Sequence, residues 1–123
     1  MNDEDTLSFE CKLDEPPAKV WRALTEPALL AAWLMPNDFA AEQGHRCTFR
    51  EHGTEIECEV LEVERERSLR LRWRERDLDS VVTFTLLPAI GGGTYLRLDH
   101  GGHQRLVGAF TFFASAQRLR CAA

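Results

Sequence analysis

One long apolar segment constrains the fold of this chain more than any other. Residues 104–120, QRLVGAFTFFASAQRLR, are the only stretch long and apolar enough for a buried helix. At about 100° per residue, one stripe of that helix carries Leu106, Phe110, Phe113 and Gln117. Small and polar residues mark the opposite face. The sequence therefore predicts a long C-terminal helix that the rest of the chain wraps.

The first third of the chain predicts one strand and two short helices. Residues 7–13 alternate apolar and polar side chains, which is typical of a strand with one wet face. Pro17 fits the first turn of a helix, which should continue to residue 24. We expect Thr25 to cap a second helix in the segment TEPALLAAW, with apolar contacts from Leu29, Leu30 and Trp33, and Pro36 to end it.

The middle of the chain predicts a meander of antiparallel strands. Turn residues at His52-Gly53 and Gly91-Gly92-Gly93 separate apolar alternations. The apolar phase slips after Val60, which predicts a β-bulge there. The expected strands cover residues 46–51, 55–64, 69–74, 82–86 and 95–100.

These elements predict an α+β fold in which a curved antiparallel sheet of about six strands packs on the terminal helix. Two short helices follow strand one. A length of 123 residues fits a single domain spanning 1–123.

Charge and patterning exclude several partners. The net charge is −5, from 15 basic and 20 acidic residues, so no overall positive field attracts nucleic acid. The acidic N-terminus MNDEDTLSFE is unlike a signal peptide, and no run approaches the roughly 18 apolar residues of a membrane span. We expect a soluble, cytoplasmic protein with no nucleic-acid or membrane partner.

Three segments resemble the START-like (SRPBCC) helix-grip superfamily. They are PPAKVWRALTEPALLAAWL, EVLEVERERSLRLRW and VVTFTLLPAIGGGTYLRLDHGG, in that order. Within the superfamily the chain is similar to the C-terminal domain of activators of the Hsp90 ATPase. The resemblance implies a bent sheet round a C-terminal helix with an apolar cavity between them. The chain departs from relatives in ending soon after Leu119 and in offering Gly108-Ala109 where relatives often have Gly-Trp.

The resemblance and the apolar pattern together predict binding of a hydrophobic or aromatic small molecule. The same side chains could instead fill a dry core, and the sequence does not decide between the two. An Hsp90-type co-chaperone or protein-interaction module is the first alternative. The candidate ligand-binding residues are Trp33, Phe49, Trp73, Phe84, Leu98, His100, Phe110, Phe113 and Gln117.

His100 is the candidate for proton chemistry, because its strand phase turns it towards the predicted helix with Leu96 and Leu98. A polyketide cyclase-like enzyme using His100 is the second alternative. We assign no catalytic residue, since no Ser, Cys or Asp partner is evident at a defensible spacing.

The cysteines and the surface charges have structural interpretations. Cys11, Cys47 and Cys58 share the apolar phase of their strands and are expected to be small buried residues. A zinc site using them with His45 or His52 matches no familiar spacing, so no metal or cofactor is predicted. Glutamates at 55, 57, 59, 62 and 64 should form cross-strand ion pairs with arginines at 70, 72 and 74.

Phe112 and Leu119 fall off the main stripe of the predicted C-terminal helix. If the short helices do not cover that side, the two residues form an exposed apolar patch. The sequence then predicts a homodimer through them.

Overall fold

The computed structural model describes residues 7–76 and 78–103. It confirms an α+β fold with a curved six-stranded antiparallel sheet and two short helices after the first strand. The predicted helix at 104–120, with Phe110, Phe112, Phe113, Gln117 and Leu119, lies outside the described residues. The elements are β1 (Leu7–Leu13), α1 (Pro17–Thr25), α2 (Pro27–Trp33), β2 (Arg46–Glu51), β3 (Thr54–Glu64), β4 (Ser68–Glu75), β5 (Leu78–Pro88) and β6 (Thr94–His103).

The strands are ordered β1-β6-β5-β4-β3-β2, and every neighbouring pair is antiparallel. Consecutive strands from β2 to β6 are therefore neighbours, as expected for a meander. β1 and β2 lie at opposite edges of the described sheet, so the connection between them has to cross its full width. Neighbouring strands are about 4.8 Å apart. Both short helices belong to that connection.

Prolines set the boundary between the two helices. Glu26 precedes Pro27 and has extended backbone angles, with φ −84° and ψ 125°, because a residue before proline is disfavoured in the helical region. Glu26 therefore ends α1 and begins α2. The expectation that Thr25 caps α2 is wrong: Thr25 stays in α1, where its hydroxyl donates to the carbonyl of Trp21 at 2.8 Å.

Tight turns hold the meander. His52 and Gly53 have φ angles of 48° and 81°, the left-handed pair of a two-residue hairpin turn. Gly93, after β5, passes so close to β1 that an added Cβ would lie 2.5 Å from the carbonyl oxygen of Leu13. The predicted bulge is confirmed, since the β3–β4 register shifts between Val60 and Glu62.

Alternate residues of the strands form an apolar inner face, and both short helices contribute to the same core. Leu30 and Trp33 of α2 are buried, whereas Leu29 is 41% exposed. Leu29 lies on the outward side of a seven-residue helix. Cys47 and Cys58 are buried as expected, and Cys11 is partly buried against the core.

The outer face carries the ion pairs that charge alternation predicts, with some different partners. Arg70 lies 3.9 Å from Glu62 across β3 and β4, as expected. Arg72 instead makes a bidentate pair with Asp79 of β5, at 3.0 and 2.8 Å. Its guanidinium lowers the pKa of Asp79. Carboxylates on both neighbouring strands therefore compete for the β4 arginines. The prediction considered only β3 and β4, so it missed Asp79 on β5.

Candidate functional site

Aromatic side chains from three parts of the chain meet on the inner face. The ring centroids of Phe49 on β2 and Trp73 on β4 are 5.3 Å apart, with a 43° angle between the ring planes. Phe39, from the loop after α2, lies 6.5 Å from Phe49. Tilted rings at these separations attract one another through their quadrupoles. The structure thus unites two predicted site residues and adds Phe39, which was not among them.

The remaining described candidates lie on the same buried side. Phe84 and Leu98 are directly paired across β5 and β6. Trp33 comes from α2, and its indole N–H donates to the carbonyl of Ala23 at 2.8 Å, which satisfies its polar atom inside the core. All of these side chains are buried. Phe110, Phe113 and Gln117 lie outside the described residues.

The structure gives His100 a partner that sequence reasoning missed. The Nε2 atom of His100 lies 2.6 Å from the hydroxyl oxygen of Ser80, which is also 3.3 Å from the carbonyl oxygen of Trp73. The view that no serine stands at a defensible spacing is therefore wrong. Ser80 is twenty residues away in sequence, but β5 and β6 are neighbours and His100 pairs with Val82, two residues along from Ser80.

A sequence signal for Ser80 exists. It shares its strand phase with Val82, Phe84 and Leu86, and a polar residue in an apolar phase requires a buried partner. Ser80 and His100 are 2% and 1% exposed.

Burial keeps the imidazole neutral. Loss of solvation lowers the pKa of His100 to about 4, so the ring carries no charge at neutral pH. Two arrangements satisfy the Ser80 hydroxyl. It donates to an unprotonated Nε2, or it accepts from Nε2–H and donates to the Trp73 carbonyl. The two arrangements belong to the two neutral tautomers of the imidazole, with the ring proton on Nδ1 in the first and on Nε2 in the second.

Polar groups are sparse on this side of the sheet. Three described polar side chains are buried, namely Ser80, Thr94 and His100. The Thr94 hydroxyl donates to the carbonyl of Glu15 at 2.7 Å and so ties β6 to the loop after β1. Ser80 and His100 thus place two adjacent polar groups among the buried apolar side chains that the structure describes.

Two open grooves in the described part of the chain are lined by residues other than the predicted ligand-binding ones. One of about 290 Å³ lies along β2, β3 and β4 and is lined mainly by charged side chains, including Arg46, Glu57 and Arg74. Another, of about 450 Å³, lies along β1, β6 and β5 beside Leu87 and Tyr95. Neither includes a predicted ligand-binding residue. No helix within residues 7–76 and 78–103 is long and apolar enough to cross a membrane.

The order of elements, the curved antiparallel sheet and the apolar inner face define the START-like helix-grip class. A family model described as activator of Hsp90 ATPase homolog 1-like protein matches residues 14–118. The chain belongs to this family.

Solved structures agree with that assignment. Protein MLL2253 from Mesorhizobium loti is 37% identical, covers 95% of both chains and superposes with a TM-score of 0.88. Protein BH1534 from Bacillus halodurans is 27% identical over 95% of both chains, with a TM-score of 0.78. DynU16, a protein in the dynemicin biosynthetic locus, shares the fold at 22% identity and a TM-score of 0.84, over 95% of this chain and 46% of its own. No curated protein sequence matches the chain significantly.

Proposed function

We propose that this protein binds a small hydrophobic or aromatic molecule against the inner face of its sheet. Membership of a family that often binds small hydrophobic ligands supports the proposal. The proposed contacts in the described part of the chain are Trp33, Phe49, Trp73, Phe84, Leu98 and His100. Phe110, Phe113 and Gln117 are the proposed contacts from the C-terminal segment.

The observation that carries the proposal is the buried Ser80–His100 pair among apolar side chains of the inner face. Ligand sites are typically apolar surfaces with a few polar groups that fix the orientation of the guest. A buried hydroxyl and imidazole are costly unless they are hydrogen-bonded, because each loses its hydration. Their hydrogen bond at 2.6 Å offsets that cost and holds the two polar groups side by side. We infer that a ligand carbonyl or hydroxyl exchanges hydrogen bonds with the pair.

Electrostatics narrow the ligand class. The imidazole is neutral at pH 7, and its described neighbours on the inner face, Val82, Phe84 and Leu98, carry no charge. An ionised ligand group would therefore lose its hydration without gaining a counter-charge from these residues. The proposed ligand is a neutral aromatic or aliphatic molecule with one hydrogen-bonding group.

Native mass spectrometry and thermal shift against neutral aromatic ketones, phenols and lipids test the proposal. A hit should bind the Ser80→Ala variant about tenfold more weakly, the effect of losing a hydrogen bond of about 1.4 kcal/mol. The matched control is Ser8→Ala, because Ser8 hydrogen-bonds to Asp99 on the outer face. Absence of any binder, or equal losses in both variants, would contradict the proposal.

A co-chaperone is the second candidate, favoured by the family match. The decisive measurement is the steady-state ATPase rate of Hsp90 with and without the protein. An increase that saturates with protein concentration would support this role, and an unchanged rate over the same range would eliminate it.

An enzyme that uses His100 for proton transfer is the third candidate, favoured by the contact with Ser80. It ranks lower because a base with a pKa of about 4 is weak at neutral pH. A ligand found in the binding screen should be converted by the wild-type protein and not by His100→Gln if this candidate is correct.

A further inference from the structure

We infer that Cys47 and Cys58 form a reversible disulfide, so that the β2–β3 hairpin is a site of oxidation by hydroperoxides. The two residues are directly opposite one another on antiparallel strands, and both are free thiols. Both are buried in the core cluster. This inference is independent of the proposed ligand.

The register places the thiols within disulfide range. A two-residue turn joins β2 to β3, and its flanking residues Glu51 and Thr54 are paired. Such a flanking pair exchanges both backbone hydrogen bonds, and pairs of this kind recur at every second position. Cys47 lies four residues from Glu51, and Cys58 lies four residues from Thr54. Cys47 and Cys58 are therefore also a hydrogen-bonded pair. Their Cα atoms are then about 5.5 Å apart, inside the range that disulfides span.

The same register makes the bond strained. Cβ atoms of directly opposed residues lie about 4.5–5.5 Å apart, and hydrogen-bonded pairs are at the wider end. A relaxed disulfide needs about 3.5–4.5 Å. The hairpin must therefore tighten when Cys47 and Cys58 join. A strained disulfide has a higher reduction potential and is more easily reduced, which suits a reversible modification rather than a permanent staple.

The chemistry needs one hydroperoxide. The Cys47 sulfur attacks the terminal peroxide oxygen, the O–O bond breaks, and the thiol proton passes to the released alkoxide, leaving a sulfenic acid on Cys47. The Cys58 sulfur then attacks the Cys47 sulfur, forming the S–S bond and releasing water. Two thiols are oxidised while the hydroperoxide is reduced to an alcohol and water.

The two thiols have different roles in this two-step reaction. A side-chain hydrogen bond with Cys47 and burial both raise the pKa of Cys58. Cys58 therefore holds its proton in the reduced pair. Because Cys47 lies on the edge strand β2, it is the sulfur that meets the oxidant. Once Cys47 is a sulfenic acid, Cys58 directly opposite acts as the resolving residue.

Access to the thiols depends on β2, an edge strand of the described sheet. One side of β2 pairs with β3. On its other side, the Asp38 carboxylate accepts a hydrogen bond from the Thr48 amide at 2.7 Å, and the Pro36 carbonyl accepts one from the Arg50 amide at 3.1 Å. These two bonds tie β2 to the segment that precedes it. Local opening of β2 admits the oxidant.

The test is to treat the folded protein with hydrogen peroxide and map disulfides by peptide mass spectrometry before and after reduction. The expected product is a Cys47–Cys58 link, about 2 Da lighter than the dithiol, that dithiothreitol reverses. Links to Cys11 or Cys121, irreversible acids alone, or no reaction under conditions that oxidise the unfolded chain would overturn the inference.

Single substitutions distinguish a specific Cys47–Cys58 link from general oxidation of cysteines. Cys47→Ser and Cys58→Ser should each abolish the link, whereas Cys11→Ser should retain it. Asp38→Ala leaves both thiols intact and should speed oxidation about tenfold, because it removes a charge-assisted hydrogen bond that keeps β2 closed. The matched control for Asp38→Ala is Asp14→Ala, because Asp14 is an exposed carboxylate after β1. Equal rates in the two aspartate variants would refute the edge-strand route.

Discussion

The buried imidazole of His100 should make the protein lose stability as the pH falls. Its pKa is 6.5 in an unfolded chain and about 4 in the folded protein, because burial disfavours the charged ring. The folded state therefore binds fewer protons between these values. The stabilisation is fully present above pH 6.5 and is lost as the pH falls through 4.

The magnitude follows from linkage. At 1.36 kcal/mol per pKa unit, the difference corresponds to about 3 kcal/mol over the whole window. About 1.4 kcal/mol should be lost by pH 5.5 and about 2.6 kcal/mol by pH 4.5, relative to high pH. These losses are a large part of the 5–15 kcal/mol that typically stabilises a domain.

Urea unfolding at pH 7.5, 5.5 and 4.5 measures the effect. His100→Gln cannot titrate, but its amide retains a hydrogen-bonding group for Ser80. The wild-type advantage over this variant in unfolding free energy should shrink by about 2.5 kcal/mol from pH 7.5 to 4.5. Carboxylates titrate in both proteins and largely cancel in the comparison.

Two controls isolate the imidazole. His52→Asn, at an exposed turn position where Asn tolerates the left-handed backbone, leaves His100 unchanged and should retain the pH dependence of the wild-type protein. An NMR titration should place the pKa of His100 near 4 in the wild-type protein. A wild-type advantage that stays constant across the three pH values would refute the assignment of a buried neutral imidazole.

Two other substitutions test the packing that positions the site. Trp33→Phe should lower the unfolding free energy by about 1–3 kcal/mol, because it leaves the buried Ala23 carbonyl without its indole donor; urea unfolding measures this loss, and an unchanged midpoint would contradict it. Gly93→Ala should destabilise by about 1–3 kcal/mol, since its Cβ would lie 2.5 Å from the Leu13 carbonyl oxygen. Its thermal midpoint should fall below that of the wild type, and an equal midpoint would disprove the close approach.

The fold was predictable because its local signals agree with one another. Alternation located the strands, prolines located the starts of both short helices, and His52-Gly53 and Gly91-Gly93 located two turns. The phase slip after Val60 located a bulge, because side chains alternate strictly across a sheet and an extra residue is visible as a break. Thr25 misled because its hydroxyl can bond within its own helix as well as cap the next one.

The candidate site was predictable only in part. Strand phase correctly placed Phe49, Trp73, Phe84, Leu98 and His100 on the buried inner face, since alternation reports the face of each side chain. It could not report neighbours across strands. Phe39 was missed because it lies in a loop without periodicity, and the contact of Arg72 with Asp79 depends on the pairing of β4 with β5.

The sequence by itself determined the class of the protein: an α+β chain with a two-faced sheet, matched over residues 14–118 by one family. Only the tertiary structure decided which side chains meet. Ser80 meets His100 because of the register in which β5 pairs with β6. Cys47 faces Cys58 because a two-residue turn fixes the register of β2 against β3. Periodicity is a property of one strand, whereas register is a relation between two. The chemistry proposed for this protein depends on register.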